Sequence, residues 1–142
     1  KAFDAPSVAV DLLVFNKDKS KILMVNRADH PYVNKLALPG GFYQPTDATT
    51  EYAASRELLE ETSVSVNITE DDLVKVTSAK DRDPRGWIIS IAYMVTIDES
   101  LVKPVANTDA LYASWVEVSS LEADELAFDH YEIIQYALRK AS

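Results

Sequence analysis

The chain has 142 residues, enough for one domain with a core of its own, and its 47% apolar and 26% charged content is ordinary for a globular protein. No apolar run is long enough to span a bilayer, and no basic segment followed by a continuous apolar stretch marks a signal peptide. A net charge of −9 without a basic stripe excludes a general nucleic-acid surface, and the absence of cysteine excludes disulfides and cysteine-ligated zinc and fits a reducing cytoplasm.

Ser7 to Phe15, SVAVDLLVF, is apolar and β-branched on both parities, as in a strand buried on both faces. Asn16 to Ser20 is a turn cluster, and Lys21 to Asn26 reads as the returning strand of a hairpin. Two of only three glycines sit together in Leu36-Ala37-Leu38-Pro39-Gly40-Gly41-Phe42, a tight backbone feature. Thr49 or Thr50 caps a helix running to about Thr62, with Glu51 favourable in its first turn. Strands are predicted at Val64 to Ile68, Leu73 to Ala79, Trp87 to Ile97 and Ala113 to Val118. Asp129 with Glu132 forms a capping box for a last helix, His130 to about Lys140. These elements make one α+β domain, 1–142, with no repeat or linker.

The first helix carries Arg56-Glu57-Leu58-Leu59-Glu60-Glu61. At roughly 100° per residue, Arg56, Glu60, Ala53, Glu57 and Glu61 share one sector, and Ala53 leaves that face open. Ala54, Leu58, Thr62, Ser55, Leu59 and Tyr52 fill the opposite half, which is apolar enough to pack on a sheet. Such a helix in isolation is usually amphipathic with a solvated face. Here one arginine answers three glutamates, where i, i+4 Glu–Lys pairs would stabilise better. Three carboxylates on one rigid face beside a glycine carbonyl are an oxygen-rich site of the kind Mg²⁺ or Mn²⁺ favours.

These residues resemble the Nudix hydrolase family. Its signature is a glycine, five residues, a glutamate, seven residues, then R-E-U-x-E-E-x-G-U with U aliphatic. Gly41 opens it here and Arg56 to Val64 closes it. SVAVDLLVF, the Arg82 to Trp87 loop RDPRGW, and LAFDH at Leu126 to His130 are similar to the ADP-ribose pyrophosphatases and the related regulators of NAD metabolism. Two positions depart from the pattern. Asp47 stands where the first glutamate belongs, with one extra residue before Arg56, so the outer acidic ligand or salt-bridge partner is shorter, and its position, kept or displaced, is left open. Ser63 replaces the glycine at the helix end, so either a left-handed serine costs about 1 kcal/mol or the helix ends differently.

The resemblance implies an α/β/α sandwich with a mixed central sheet. It also implies Mg²⁺- or Mn²⁺-dependent attack of water on the pyrophosphate of a nucleoside diphosphate derivative. ADP-ribose, giving AMP and ribose 5-phosphate, is the preferred substrate on subgroup likeness. Glu57 and Glu61 would be the principal metal ligands, Glu60 an additional one, and the Gly40 carbonyl could complete the shell. Arg56 would orient the carboxylates. The family's general base often comes from a separate loop that no motif places here, leaving Glu57 as the fallback.

Arg82 and Arg85, in a Pro/Gly turn, are candidates to clamp phosphates, as is Arg27 at a strand end. Either of the last two substrate candidates, Phe42 and Gly41, borders the box; Phe42 and Trp87 could stack on adenine or pack in the core. His30 and His130 read as surface or helix-start residues, and Asp129 as a cap. The expected partner is a small nucleotide, with no membrane and no nucleic acid bound by this domain alone; family members often dimerise through the sheet. The alternative is a domain that senses ADP-ribose without cleaving it, as in relatives joined to a winged helix. No such segment follows Lys140, so the chain alone would not be a complete repressor, though it could be an excised domain.

Overall fold

The computed structural model describes residues 4–101 and 113–141. Its centre is β1 (Ser7–Phe15), which runs parallel to β6 (Ile88–Thr96) in register from Ser7↔Ile88 to Phe15↔Thr96. The other edge of β1 is shared. Its end pairs with β2 (Lys21–Asn26) at Phe15↔Ile22, the expected hairpin. Its start pairs antiparallel with β4 (Gly40–Phe42) as Ala9↔Phe42, Val10↔Gly41 and Asp11↔Gly40. The short β3 (Leu36–Ala37) pairs with the end of β2, so residues 36–42 pass from one strand to the other. Strand β5 (Leu73–Thr77) flanks β6 and β7 (Ala113–Glu117) flanks β2, completing a mixed seven-stranded sheet.

Two helices cover the two faces, which explains why β1 is apolar on both parities. Val10, Leu12 and Val14 pack with Ala53, Ala54 and Leu58 of α1 (Thr50–Thr62). Leu13 and Phe15 pack with Ile133, Ile134 and Ala137 of α2 (His130–Ala141). Each fully buried side chain of this kind contributes roughly 1.5–3 kcal/mol. The α/β/α sandwich with a mixed sheet is therefore the observed architecture. No helix among the described residues is long and apolar enough to cross a membrane.

Several local expectations are corrected. Residues 64–68 form no strand. They pack Val64 and Ile68 inward, and the Ile68 amide donates to Ser55 Oγ at 3.2 Å rather than to a neighbouring strand. On α1 the buried arc is Ala53, Ala54, Leu58 and Thr62, so Ala53 belongs to the core rather than to an open face. Tyr52 and Leu59, expected against the sheet, are half exposed. The Asp129 carboxylate does not cap α2: both its oxygens accept from Arg82, at 2.8 and 2.7 Å.

Candidate active site

Both ends of α1 are fixed. Thr49 Oγ1 accepts from the Tyr52 amide at 3.0 Å, and the buried Tyr93 hydroxyl meets Glu51 Oε2 at 2.5 Å and Thr50 Oγ1 at 2.7 Å. Ser63 ends the helix in the left-handed region, φ 63° and ψ 15°, with its amide on the Leu59 carbonyl. The serine thus takes the conformation that a glycine adopts more readily.

Asp47 is not displaced. It is buried, and it receives Arg56 Nε at 2.7 Å and Nη2 at 2.8 Å. The extra residue is absorbed between Asp47 and the helix start, so the shorter acid still reaches the arginine. Arg56 spends its remaining donors on Glu57 Oε2 and Glu60 Oε1, both at 3.1 Å, and on the Phe42 carbonyl at 3.2 Å. Its hydrogen bonds to Asp47 hold its pKa above the usual range. Arg56 therefore touches Asp47, Glu57 and Glu60 at once.

The three glutamates divide. Glu57 lies against Gly41, where an added Cβ would stand 2.8 Å from Glu57 Oε1 and closer still to Oε2. Glu61 Oε1 accepts the Gly40 amide at 2.7 Å. Burial pushes the Glu61 carboxyl up to about 8; the Gly40 amide opposes this and the charges of Glu57 and Asp11 add to it. Burial also raises Glu57, against the pull of Arg56. The Glu60 side chain is 57% exposed, and its Oε1 shares Arg56 Nη1 with Glu57 Oε2. Among the described residues, no three acidic or imidazole groups are gathered at metal-ligand spacing. The chemistry of Glu57 and Glu61 nevertheless fits a hard cation. Two neighbouring carboxylates are held out of water, and a divalent ion would neutralise both.

Beside this face opens a cavity of about 510 Å³, lined among others by Arg27, Gly41, Phe42, Glu61, Phe128 and His130. Arg82 and Arg85 also line it but are internally committed. Arg82 pairs with Asp129 and donates to Ser90 Oγ at 3.0 Å, which makes it a brace rather than an open clamp. Arg85 is fixed by Asp83 at 2.8 Å and stacks on Phe42 and Phe128, at 4.9 and 4.7 Å from the ring centroids. Arg27 has only carbonyl partners, Pro31 at 2.7 Å and His30 at 3.4 Å, with Phe128 5.0 Å away. Burial and the charge of Arg85 lower its pKa. Arg27 is thus the lining arginine with no carboxylate of its own among the described residues. Trp87 carries Lys80 over its ring at 4.4 Å and does not line the cavity, and neither does His30.

Two further lining residues escaped the motif reading. Asp11, in the middle of β1, is only 7% exposed, and burial pushes its carboxyl up to about 7. His130, read as a surface or helix-start residue, does start α2 but is buried there, and burial pushes it down to about 4. Its Nδ1 accepts the Leu38 amide at 3.0 Å. One signal did exist for Asp11: it is the lone charge in an apolar nine-residue strand. For His130 the signal was its place in LAFDH, which carried the subgroup resemblance without assigning the ring a role.

The family model for the NUDIX domain matches residues 5–137. The chain belongs to the Nudix family. An ADP-ribose pyrophosphatase of Methanocaldococcus jannaschii is 39% identical over 94% of this chain and 74% of its own length. The ADPR responsive transcriptional repressor NtrR of Acinetobacter baylyi is 30% identical over 97% of this chain. This Nudix chain spans about half of that repressor, 55%. Among solved structures, the NUDIX domain of Shewanella oneidensis NrtR in complex with ADP ribose superposes with a TM-score of 0.86. It is 27% identical and covers 99% of this chain and 91% of that one. The Nudix box of this chain is thus the Gly41 and Arg56-to-Glu61 arrangement described above.

Proposed function

We propose that this Nudix domain hydrolyses ADP-ribose to AMP and ribose 5-phosphate with a divalent cation, Mg²⁺ or Mn²⁺. The observation that carries the reading is the intact carboxylate face: Glu57 and Glu61 lie half-buried against Gly41 and Gly40, and Arg56 is held by Asp47. The likeness to the Methanocaldococcus pyrophosphatase supports the choice of substrate.

Glu57 and Glu61 would hold the cation, with the Gly40 carbonyl beside them and the exposed Glu60 in an outer role. When bound, the cation neutralises diphosphate charge and acidifies water. Arg56 keeps the Glu57 carboxylate aimed and supplies compensating charge. Arg27, with no acid of its own among the described residues, offers its guanidinium to a phosphate oxygen in the same cavity. Phe42 and Phe128 supply apolar flanks for the flat parts of a nucleotide.

A second reading has its own support. The Acinetobacter repressor responds to ADPR, and the Shewanella NrtR domain holds ADP ribose. On that reading the same cavity binds the nucleotide without cleaving it. One experiment separates the two. The chain is incubated with ADP-ribose and Mg²⁺, and AMP and ribose 5-phosphate are followed by chromatography, with Glu61→Gln alongside. Metal-dependent release that collapses in the variant supports the hydrolase. Calorimetric binding without turnover supports the sensor.

A further inference from the structure

We propose that Asp11 and His130 form a subsite that recognises a sugar hydroxyl of the substrate. The inference rests on the reading of the cavity as a site for a diphosphate-linked sugar, and adds the contact that selects the sugar.

Asp11 is a buried carboxylate with no hydrogen-bond donor among the described residues. Its Oδ2 is sealed and unpartnered. Its Oδ1 faces His130 Nε2 at 3.6 Å, beyond hydrogen-bond range. His130 Nδ1 accepts the Leu38 amide, so the neutral ring carries its hydrogen on Nε2. A donor and an acceptor therefore confront each other across a gap too wide to close directly. Both side chains line the cavity. Gly40 keeps the acid open on its flank, because a Cβ there would come within 2.9 Å of Oδ1.

An oxygen about 2.8 Å from each atom would satisfy both. With Asp11 ionised, as it is above about pH 7, the chemistry is restricted: the oxygen must donate to Oδ1 and accept from Nε2–H. A hydroxyl does both. A phosphate oxygen only accepts and is repelled by the acid; an ammonium only donates. Water can fill the position before a ligand arrives, and a substrate hydroxyl reproduces its two bonds on displacing it. Arg27, which lines the same cavity without a carboxylate partner among the described residues, gives the phosphates a place of their own. An unpartnered buried carboxylate is costly in a strand whose other core positions are apolar. A substrate hydroxyl on Oδ1 would supply one of the partners that this carboxyl lacks.

The test compares ADP-ribose with analogues lacking one sugar hydroxyl at a time, in the wild-type chain, Asp11→Leu and Asp11→Asn. The readouts are kcat/KM, calorimetric affinity and melting temperature. In the wild type, loss of one particular hydroxyl is expected to cost about tenfold or more. In Asp11→Leu that penalty shrinks to about twofold, while the protein melts no lower than wild type. An equal penalty in both proteins, or none for any analogue in the wild type, overturns the proposal. Should the Asp11 variants not fold, nitrogen NMR of the histidine-labelled wild-type chain decides it. The His130 Nε2 resonance is expected to move with ADP-ribose or ribose 5-phosphate, and an unmoved ring overturns the subsite. Failure of the substrate reading looks different: ADP-ribose is then neither bound nor cleaved. A response of the ring to ribose 5-phosphate would still uphold the subsite, and no response would end it too.

Discussion

Gly41 and Glu57 occupy one another's space: a Cβ on the glycine would lie 2.8 Å from Glu57 Oε1 and 2.5 Å from its carboxyl carbon. The neighbouring Gly40 is crowded by something stiffer, the Val10 carbonyl of β1. Alanine at the two positions should therefore fail in different ways. Gly41→Ala is expected to fold and to lose about a hundredfold in kcat, because only a side-chain tip must move and that tip is a prospective metal ligand. Gly40→Ala is expected to lose about 1–3 kcal/mol of stability, because backbone must move. Thermal melts and turnover of both variants check the contrast.

Arg56 makes a two-point contact with Asp47 while touching two glutamates. Lysine keeps the charge and loses the fork. Arg56→Lys should lower metal affinity or kcat by roughly 10–100-fold, as for other residues that orient ligands. Asp47→Glu restores the length usual in the family but must fit a loop with one extra residue; activity within about threefold of wild type is expected. Steady-state kinetics with a Mg²⁺ titration measures both.

Ser63→Gly should raise stability by about 1 kcal/mol, because the position already has φ 63°. That corresponds to a rise of about 3 °C in melting temperature for a chain of this size. Turnover should not change, since the Ser63 backbone already closes the helix. A fall in melting temperature would show that the serine side chain contributes something the backbone angles do not.

Arg27 and Arg82 line one cavity but differ in their partners. Arg27→Ala is expected to raise KM about tenfold with little change in kcat or melting temperature. Arg82→Ala leaves Asp129 unanswered and should cost about 2–3 kcal/mol of stability. Chemical denaturation beside kinetics separates a clamp from a brace.

The pH dependence of the metal-free protein follows from three buried groups. Glu61 moves from 4.5 to about 8 and Asp11 from 3.8 to about 7, so the folded state keeps protons that the unfolded chain releases. Stability from these acids is present at low pH and is lost as pH rises through 7 and 8. His130 moves the other way, from 6.5 to about 4, and its contribution is lost as pH falls through that window. The effects oppose one another below pH 6.5, and above it only the acids act. In chelator, the melting temperature should fall between pH 6.5 and 8.5, and Glu61→Gln should flatten that slope. Mg²⁺ should stabilise more at pH 8.5 than at 6.5.

The sequence showed the two-faced β1, the hairpin and the capped helix because periodicity and caps are local properties. It also showed the box, whose spacing is a helix property. It could not show which of three glutamates would be buried, because that depends on β4, a three-residue strand too short to read. Nor could it show that Arg82 would be spent on Asp129, 47 positions away. His130 reads as a helix-start residue until Leu38 is brought to its ring. The sheet gathers residues that are distant in the chain, and that gathering makes the cavity.

Gly40 and Gly41 face opposite sides of β4, one toward Asp11 and the other toward Glu57. One bare strand therefore runs between Glu57 and Asp11, while Glu61 reaches the Gly40 amide and lines the same cavity as Asp11. Neither glycine can take a side chain without intruding on one of these carboxylates. New substrate preference would have to be acquired at the replaceable rim, around Phe42, Arg85 and Phe128, while the two glycines stay as they are.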